Sequence, residues 1–231
     1  MGGTFDPIHV GHLVAAEEAR LRFRLARVIF VPNGRPPHKK QYEVTPAQAR
    51  YEMVVLGTAY NLGFEVSRIE LDRPGPSYAV DTVRQIDEQL GPDATLHFIT
   101  GADAMLEFTT WHQPARLAEM CQFIAVMRPG YDVQRLERAL GPDLMARTRV
   151  LRIPGVDISS TELRRRAGSG ESLRYLTPEP VVRYIESRHL YVKMHARSSL
   201  ATPGGPPSAD RSQVPSAEVD PEGGEVRKTW R

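Results

Sequence analysis

Cysteine is nearly absent from this 231-residue chain: Cys121 stands alone, so no internal disulfide can form. Its setting, Cys121-Gln-Phe-Ile-Ala-Val126, reads as a small buried hydrophobe in a protein of a reducing compartment, and the expectation is a cytoplasmic location. Long apolar runs are also lacking. None approaches the roughly 20 residues that cross a bilayer, and no basic-then-apolar leader is visible, so no membrane partner is expected. An excess of one charge is missing too: 30 Lys and Arg against 28 Asp and Glu leave a formal +2. That balance argues for neither nucleic acid nor an acidic surface. The basic stretch Arg20-Leu-Arg-Phe-Arg24 lies on a helical pattern opposite an apolar face and reads as solvated rather than as a nucleic-acid site. No internal repeat is seen. What remains is 41% hydrophobic content, enough for one good-sized core.

Periodicity divides the chain into alternating elements. Helical spacing covers His9 to Phe23, and the β-branched run Arg27-Val-Ile-Phe-Val-Pro32 reads as a strand ended by its proline. Asn33-Gly-Arg-Pro-Pro-His-Lys-Lys40 reads as a loop, because its prolines and glycine preclude regular structure. Thr45-Pro46 is a cap and first-turn proline for a helix to about Asn61. Strands are expected at Phe64–Ile69, Thr95–Thr100, Gln122–Met127 and Arg149–Ile153, with helices at Ser77–Leu90, Asp132–Leu140, Ser160–Ala167 and Pro178–Arg188. Residues 102–119 read as helical or irregular. Alternation of this kind predicts a doubly wound parallel sheet with ligands beyond the strand carboxyl ends. Residues 1–192 are read as one domain; residues 193–231, rich in Pro, Gly and Ser with little to bury, are read as a disordered tail.

Two stretches carry chemistry. Gly2-Gly-Thr-Phe-Asp-Pro-Ile-His-Val-Gly-His12 combines a sharp turn, which lets backbone N–H groups approach a polyphosphate, with a helix whose positive end faces the same anion. His9 and His12 fall one turn apart, with Gly11 keeping the helix surface low between them. Phosphate donors, a zinc pair and two surface histidines are all open readings; zinc lacks an evident third ligand. Near the other end, Ile158-Ser-Ser-Thr-Glu-Leu-Arg164 has capping-box spacing between Ser159 and Glu162. A plain capped helix explains it. The same helix start also offers amides and hydroxyls to an anion, with Arg164 adding a forked donor, while Arg165 and Arg166 read as solvated.

Taken together, these two stretches resemble the nucleotidylyltransferase superfamily marked by a His-x-Gly-His motif. Val31-Pro-Asn-Gly-Arg-Pro-Pro-His-Lys39, Ser77-Tyr-Ala-Val-Asp-Thr82, Gly101-Ala-Asp103, Trp111-His112, Arg128-Pro-Gly130, Arg174-Tyr-Leu-Thr-Pro-Glu-Pro-Val-Val-Arg-Tyr-Ile185 and His189-Leu-Tyr191 narrow the resemblance to bacterial nicotinate-nucleotide adenylyltransferases. The resemblance implies a Rossmann-like α/β fold and adenylyl transfer from ATP to nicotinate mononucleotide, giving the dinucleotide and pyrophosphate in NAD biosynthesis. It implies Mg²⁺ held mainly by the ATP phosphates, with no metal site of the protein's own. On the positions of this chain it implies catalytic roles for His9, His12 and Arg164. It implies ATP contacts from Gly3, Thr4, Phe5, Gly101, Asp103, Ser159, Ser160 and Thr161. The mononucleotide would meet Lys39, Thr82, Trp111 and His112, with Trp111 stacked on the ring.

Each residue also has a plainer explanation: Trp111 as core, Asp103 as a helix cap, Thr82 as a first-turn residue, Lys39 as a solvated loop cation. Family members begin with a strand feeding Gly-Gly-Thr, whereas this chain starts at Met1-Gly2, so the first strand is expected to be truncated. A misassigned start with several more apolar residues upstream is the reading made of this, since a central strand contributes on the order of its domain's net stability. Phosphopantetheine adenylyltransferase and a noncatalytic nucleotide sensor are the competing functions. Neither a preference for nicotinate over nicotinamide nor the oligomeric state follows from composition.

Overall fold

A computed structural model describes residues 1–35, 44–128, 130, 132–155 and 157–192. The expected 193–231 tail lies outside them, as does Lys39 with the centre of the Asn33–Lys40 loop. The described elements belong to one compact unit, Met1–Lys193.

Strands and helices alternate. β1 (Gly2–Gly3) leads into α1 (Val10–Arg22), β2 (Val28–Pro32), α2 (Ala47–Thr58), β3 (Phe64–Val66), α3 (Ile69–Asp72) and α4 (Ala79–Leu90). Then come β4 (His97–Gly101), α5 (Ala102–Leu106), a 3₁₀ turn at Phe108–Thr110, α6 (Pro114–Met120), β5 (Gln122–Met127), α7 (Val133–Ala146), β6 (Thr148–Arg152), α8 (Ser160–Gly168) and α9 (Glu179–Ser187). Every strand pairing is parallel, with orders β1-β2-β3 and β4-β5-β6. β1 is two residues long and pairs Gly2 with Val31 and Gly3 with Pro32. It also lies beside β4: a Cβ on Gly2 would sit 3.7 Å from the Phe98 ring. Two three-stranded parallel sheets thus meet at β1 and β4, and the order β3-β2-β1-β4-β5-β6 is that of the doubly wound folds.

Buried parallel strands read as nearly continuous apolar runs, and β2 and β5 do so. Phe30, Ile99 and Ile124 join Ala16, Ala19, Met53, Val54, Leu163 and Val181 in one cluster, and Phe123, Met105, Leu117 and Leu136 centre a second. Cys121 is 6% exposed, and its thiol donates to the Leu117 carbonyl at 3.5 Å.

Three local readings need correction. The strand from Phe64 stops at Val66 because the Ser67 hydroxyl accepts from the Ile69 N–H at 3.3 Å and turns the chain into α3. Pro46, rather than Thr45, holds the cap position of α2; the Thr45 N–H goes instead to the Asp6 carboxylate at 3.3 Å. The helix from Asp132 runs past Leu140, interrupted at Gly141, whose φ of +70° precedes Pro142.

Candidate active site

The His9–His12 segment begins where β1 hands over to α1. Phe5 has a φ of +48°, and its ring, 2% exposed, packs against Phe30 and edge-on to His12 at 5.1 Å. The Phe5 ring is therefore core, so the ATP contact expected of Phe5 falls to its backbone. A Cβ on Gly3 would sit 2.9 Å from that ring. His9 is extended at the cap of α1, and its carbonyl accepts from the His12 N–H at 2.9 Å. The His9 N–H donates to His12 Nδ1 at 3.2 Å. That bond makes Nδ1 an acceptor, so in neutral His12 the proton sits on Nε2.

The two imidazoles stack, with centroids 3.7 Å apart and planes inclined by 29°. Gly11 makes the stack possible, since a Cβ there would lie 3.1 Å from the His9 ring. Burial, with the Arg128 charge nearby, pushes the His9 pKa down to about 4. His12 is also held well below its ordinary value, by burial first and then by His9 and Arg128. Both rings are therefore neutral at pH 7 in the free protein. His9 Nδ1 has no hydrogen-bond partner among the described residues, an orphan buried atom of the kind found where a ligand binds.

The second stretch meets the first. Ser159 caps α8, its hydroxyl accepting from the Glu162 N–H at 3.2 Å. Glu162 does not complete a capping box, because its carboxylate is taken by Arg165 and Arg166 on the solvated side. Ser160 Oγ donates to the Pro7 carbonyl at 2.9 Å, and Arg164 Nη1 to the Asp6 carbonyl at 2.7 Å. Arg164 Nη2 reaches Thr161 Oγ1 at 3.3 Å. The start of α8 and the loop before α1 are thus joined across more than 150 residues of chain. Arg128 follows β5 at its carboxyl end, donating to the Ile158 carbonyl at 3.4 Å and lying 3.6 Å from the Asp157 carboxylate. Its nearness to the histidines was not legible, although its place after a strand carboxyl end was a signal.

A cavity of about 860 Å³ opens beside β1, between β2 and β4. Gly2, Gly3, Asn33, Thr82, Trp111 and His112 line it, and it continues between β2 and β4 to Leu96 and Cys121. His9, His12 and Arg164 lie outside its wall. Trp111 is half-buried against Phe98 and Phe108, while His112 is exposed and stacks on Tyr78 at 4.1 Å. Thr82, only 4% exposed, donates its hydroxyl to buried Glu70 at 2.6 Å and accepts from Arg73 at 2.9 Å. Its N–H goes to the Tyr78 carbonyl. In this arrangement both the Thr82 hydroxyl and its N–H are engaged within the protein. Gly101 caps α5 and Asp103 follows on its first turn; both are exposed. No cluster of three His, Cys, Asp or Glu residues suited to a metal occurs among the described residues.

Two helix starts brought together on a parallel α/β fold accord with the class that comparison gives: residues 1–166 match the cytidylyltransferase-like family. Within it, the chain is 53% identical over 194 residues to a probable nicotinate-nucleotide adenylyltransferase of Moorella thermoacetica, covering 83% of this chain and 89% of the relative. A relative of the same description in Thermus thermophilus is 50% identical over 190 residues, with 82% and 96% covered. Among solved structures, the nicotinic acid mononucleotide adenylyltransferase of Plasmodium falciparum complexed with APC shares the fold, with a TM-score of 0.65 at 18% identity over 82% of this chain and 94% of that one. The chain belongs to the nicotinate-nucleotide adenylyltransferase family, nucleotidyltransferases of NAD biosynthesis.

Proposed function

We propose that this chain joins ATP to nicotinate mononucleotide, releasing pyrophosphate, with the triphosphate lying over the junction of α1 and α8. The observation that carries the reading is the seating of Arg164 on the Asp6 carbonyl and of Ser160 on the Pro7 carbonyl. These bonds bring the α8 start against the loop that ends at His9, so one polyanion spans both. A phosphate oxygen of the mononucleotide forms a bond to the α-phosphorus, and the bond from that phosphorus to the pyrophosphate oxygen breaks. The attacking oxygen is already ionised near neutral pH. No nucleophilic side chain or general base is needed, and positioning with charge stabilisation is the protein's task.

Each group then has a defined part. His12 donates from Nε2 to a phosphate oxygen, its tautomer set by the His9 N–H. His9 offers its orphan Nδ1, which a polyanion supplies with a reason to be protonated. Ser159, whose hydroxyl proton is not used in its cap, and Thr161 extend the donor set, while Gly3, Thr4 and Phe5 contribute backbone. Gly101 and Asp103 would face the ribose, Trp111 and His112 the pyridine ring, and Lys39 the phosphates. Mg²⁺ fits as a companion of the phosphates: neutral imidazoles suit hard Mg²⁺ poorly, and bound through ATP it would neutralise charge on the leaving pyrophosphate. Residues 1–192 form the catalytic unit in this reading, acting in the cytoplasm. Parallel assays with ATP plus nicotinate mononucleotide or nicotinamide mononucleotide, following dinucleotide and pyrophosphate, test it. Dinucleotide from the nicotinate form is expected. Nucleotide binding without pyrophosphate release would point instead to a sensor.

A further inference from the structure

Arg50 is a charged side chain in the second turn of α2, yet it is 1% exposed. Its guanidinium donates to backbone carbonyls of three separate segments. Nε donates to Thr45 at 2.8 Å, Nη1 to Thr4 at 2.8 Å, and Nη2 to Asn33 at 2.6 Å and Gly34 at 3.4 Å. Thr4 belongs to the turn that carries Gly3 and Phe5 toward the histidines. Asn33 and Gly34 belong to the loop after β2, and Asn33 lies on the wall of the cavity. One planar guanidinium therefore joins the turn after β1, the loop after β2 and the start of α2.

A trans peptide unit is planar, with its carbonyl and N–H pointing opposite ways. Holding the Thr4 carbonyl turns the Phe5 N–H away from Arg50, and that N–H has no partner among the described residues. Holding the Asn33 carbonyl turns the Gly34 N–H to the other side, where it donates to Ser77 Oγ at 3.1 Å. The second peptide is clamped from both sides, and a Cβ on Gly34 would run into the Glu70 carbonyl, so only glycine fits there. From Asn33 the connection continues through its side-chain N–H to Glu70 at 3.3 Å and on to Thr82.

We propose that Arg50 is a positioning residue that fixes the Thr4–Phe5 and Asn33–Gly34 peptides relative to each other, so that the triphosphate-facing amide and the mononucleotide wall hold one spacing. Burial of a fork with several carbonyls to fill suits this task, since a lysine presents a point charge and cannot span the three segments. The inference rests on the adenylyl-transfer reading, and wild-type dinucleotide formation is measured alongside, so that failure of that reading is seen separately.

The test compares Arg50→Lys and Arg50→Gln with wild type, with activity expressed per folded molecule. Both variants are expected to lose kcat by about 100-fold, the scale of losing one prearranged donor. The binary dissociation constants for ATP alone and mononucleotide alone are expected to shift by less than about 3-fold, because each half-site survives separately. Unchanged kcat per folded molecule, full rescue by lysine, or an effect confined to one binary affinity would overturn the proposal. Should both variants fail to fold, NMR-detected amide exchange on the wild-type protein decides it. ATP alone should slow exchange at Gly34 and Arg35, across the Arg50 link; slowing restricted to residues 2–12 would refute it.

Discussion

Lowering the pH should destabilise the free protein through His9, and the size of the effect can be worked out. The folded-state pKa is about 4 against an ordinary 6.5, so between those values the unfolded chain binds the proton that the native chain refuses. Stability therefore falls as pH falls through 6.5 and levels off below about 4. A gap of about 2.5 pH units corresponds to about 3 kcal/mol in full, of which about 2 kcal/mol is lost between pH 7 and pH 5. For a domain of this size that is roughly 4–8 °C in Tm. His12, also depressed, adds in the same direction. The assay is thermal unfolding of the free protein and of His9→Gln across pH 7.5 to 5. The variant should lose a comparable part of the slope, and ATP should flatten the wild-type slope by giving the protonated ring an anion. Equal slopes in wild type and variant would refute the argument that His9 is held neutral by burial.

Other consequences follow from single contacts. Gly11→Ala places a methyl 3.1 Å from the His9 ring and should lower kcat at least about tenfold while α1 keeps its helicity by circular dichroism, because alanine is the better helix former. Thr82→Val leaves buried Glu70 without its shortest donor and should cost about 1–3 kcal/mol in urea unfolding. Arg164→Gln should reduce kcat about 100-fold and, by removing the bond to the Asp6 carbonyl, cost about 1–3 kcal/mol of stability, read by steady-state kinetics and urea unfolding. Cys121, whose thiol burial pushes up to about 12, should resist a thiol reagent at pH 8 in the native protein and react on unfolding.

The two stretches read as anion sites were legible because their chemistry is local. Gly11 lies between His9 and His12 because a ring must fold over a bare backbone, and Ser159 caps α8 through a bond to a residue three positions on. Strands with apolar runs, helices with period and a lone cysteine in an apolar stretch declare themselves in the same short-range way. Some local competition was hidden even so, as where Ser67 ends β3 by capturing the Ile69 N–H.

Tertiary structure decided the rest, for one physical reason: a buried polar group takes whichever partner the fold brings within reach, and sequence spacing says nothing about that partner. Thr82 gives its proton to Glu70, Arg128 comes to depress two histidines from the end of β5, and Arg50 gathers carbonyls from residues 4, 33 and 45. Residue types and periodicity determined which segments could face a triphosphate. Long-range packing of α2, α8 and the strand ends determined which of their donors remain available to it.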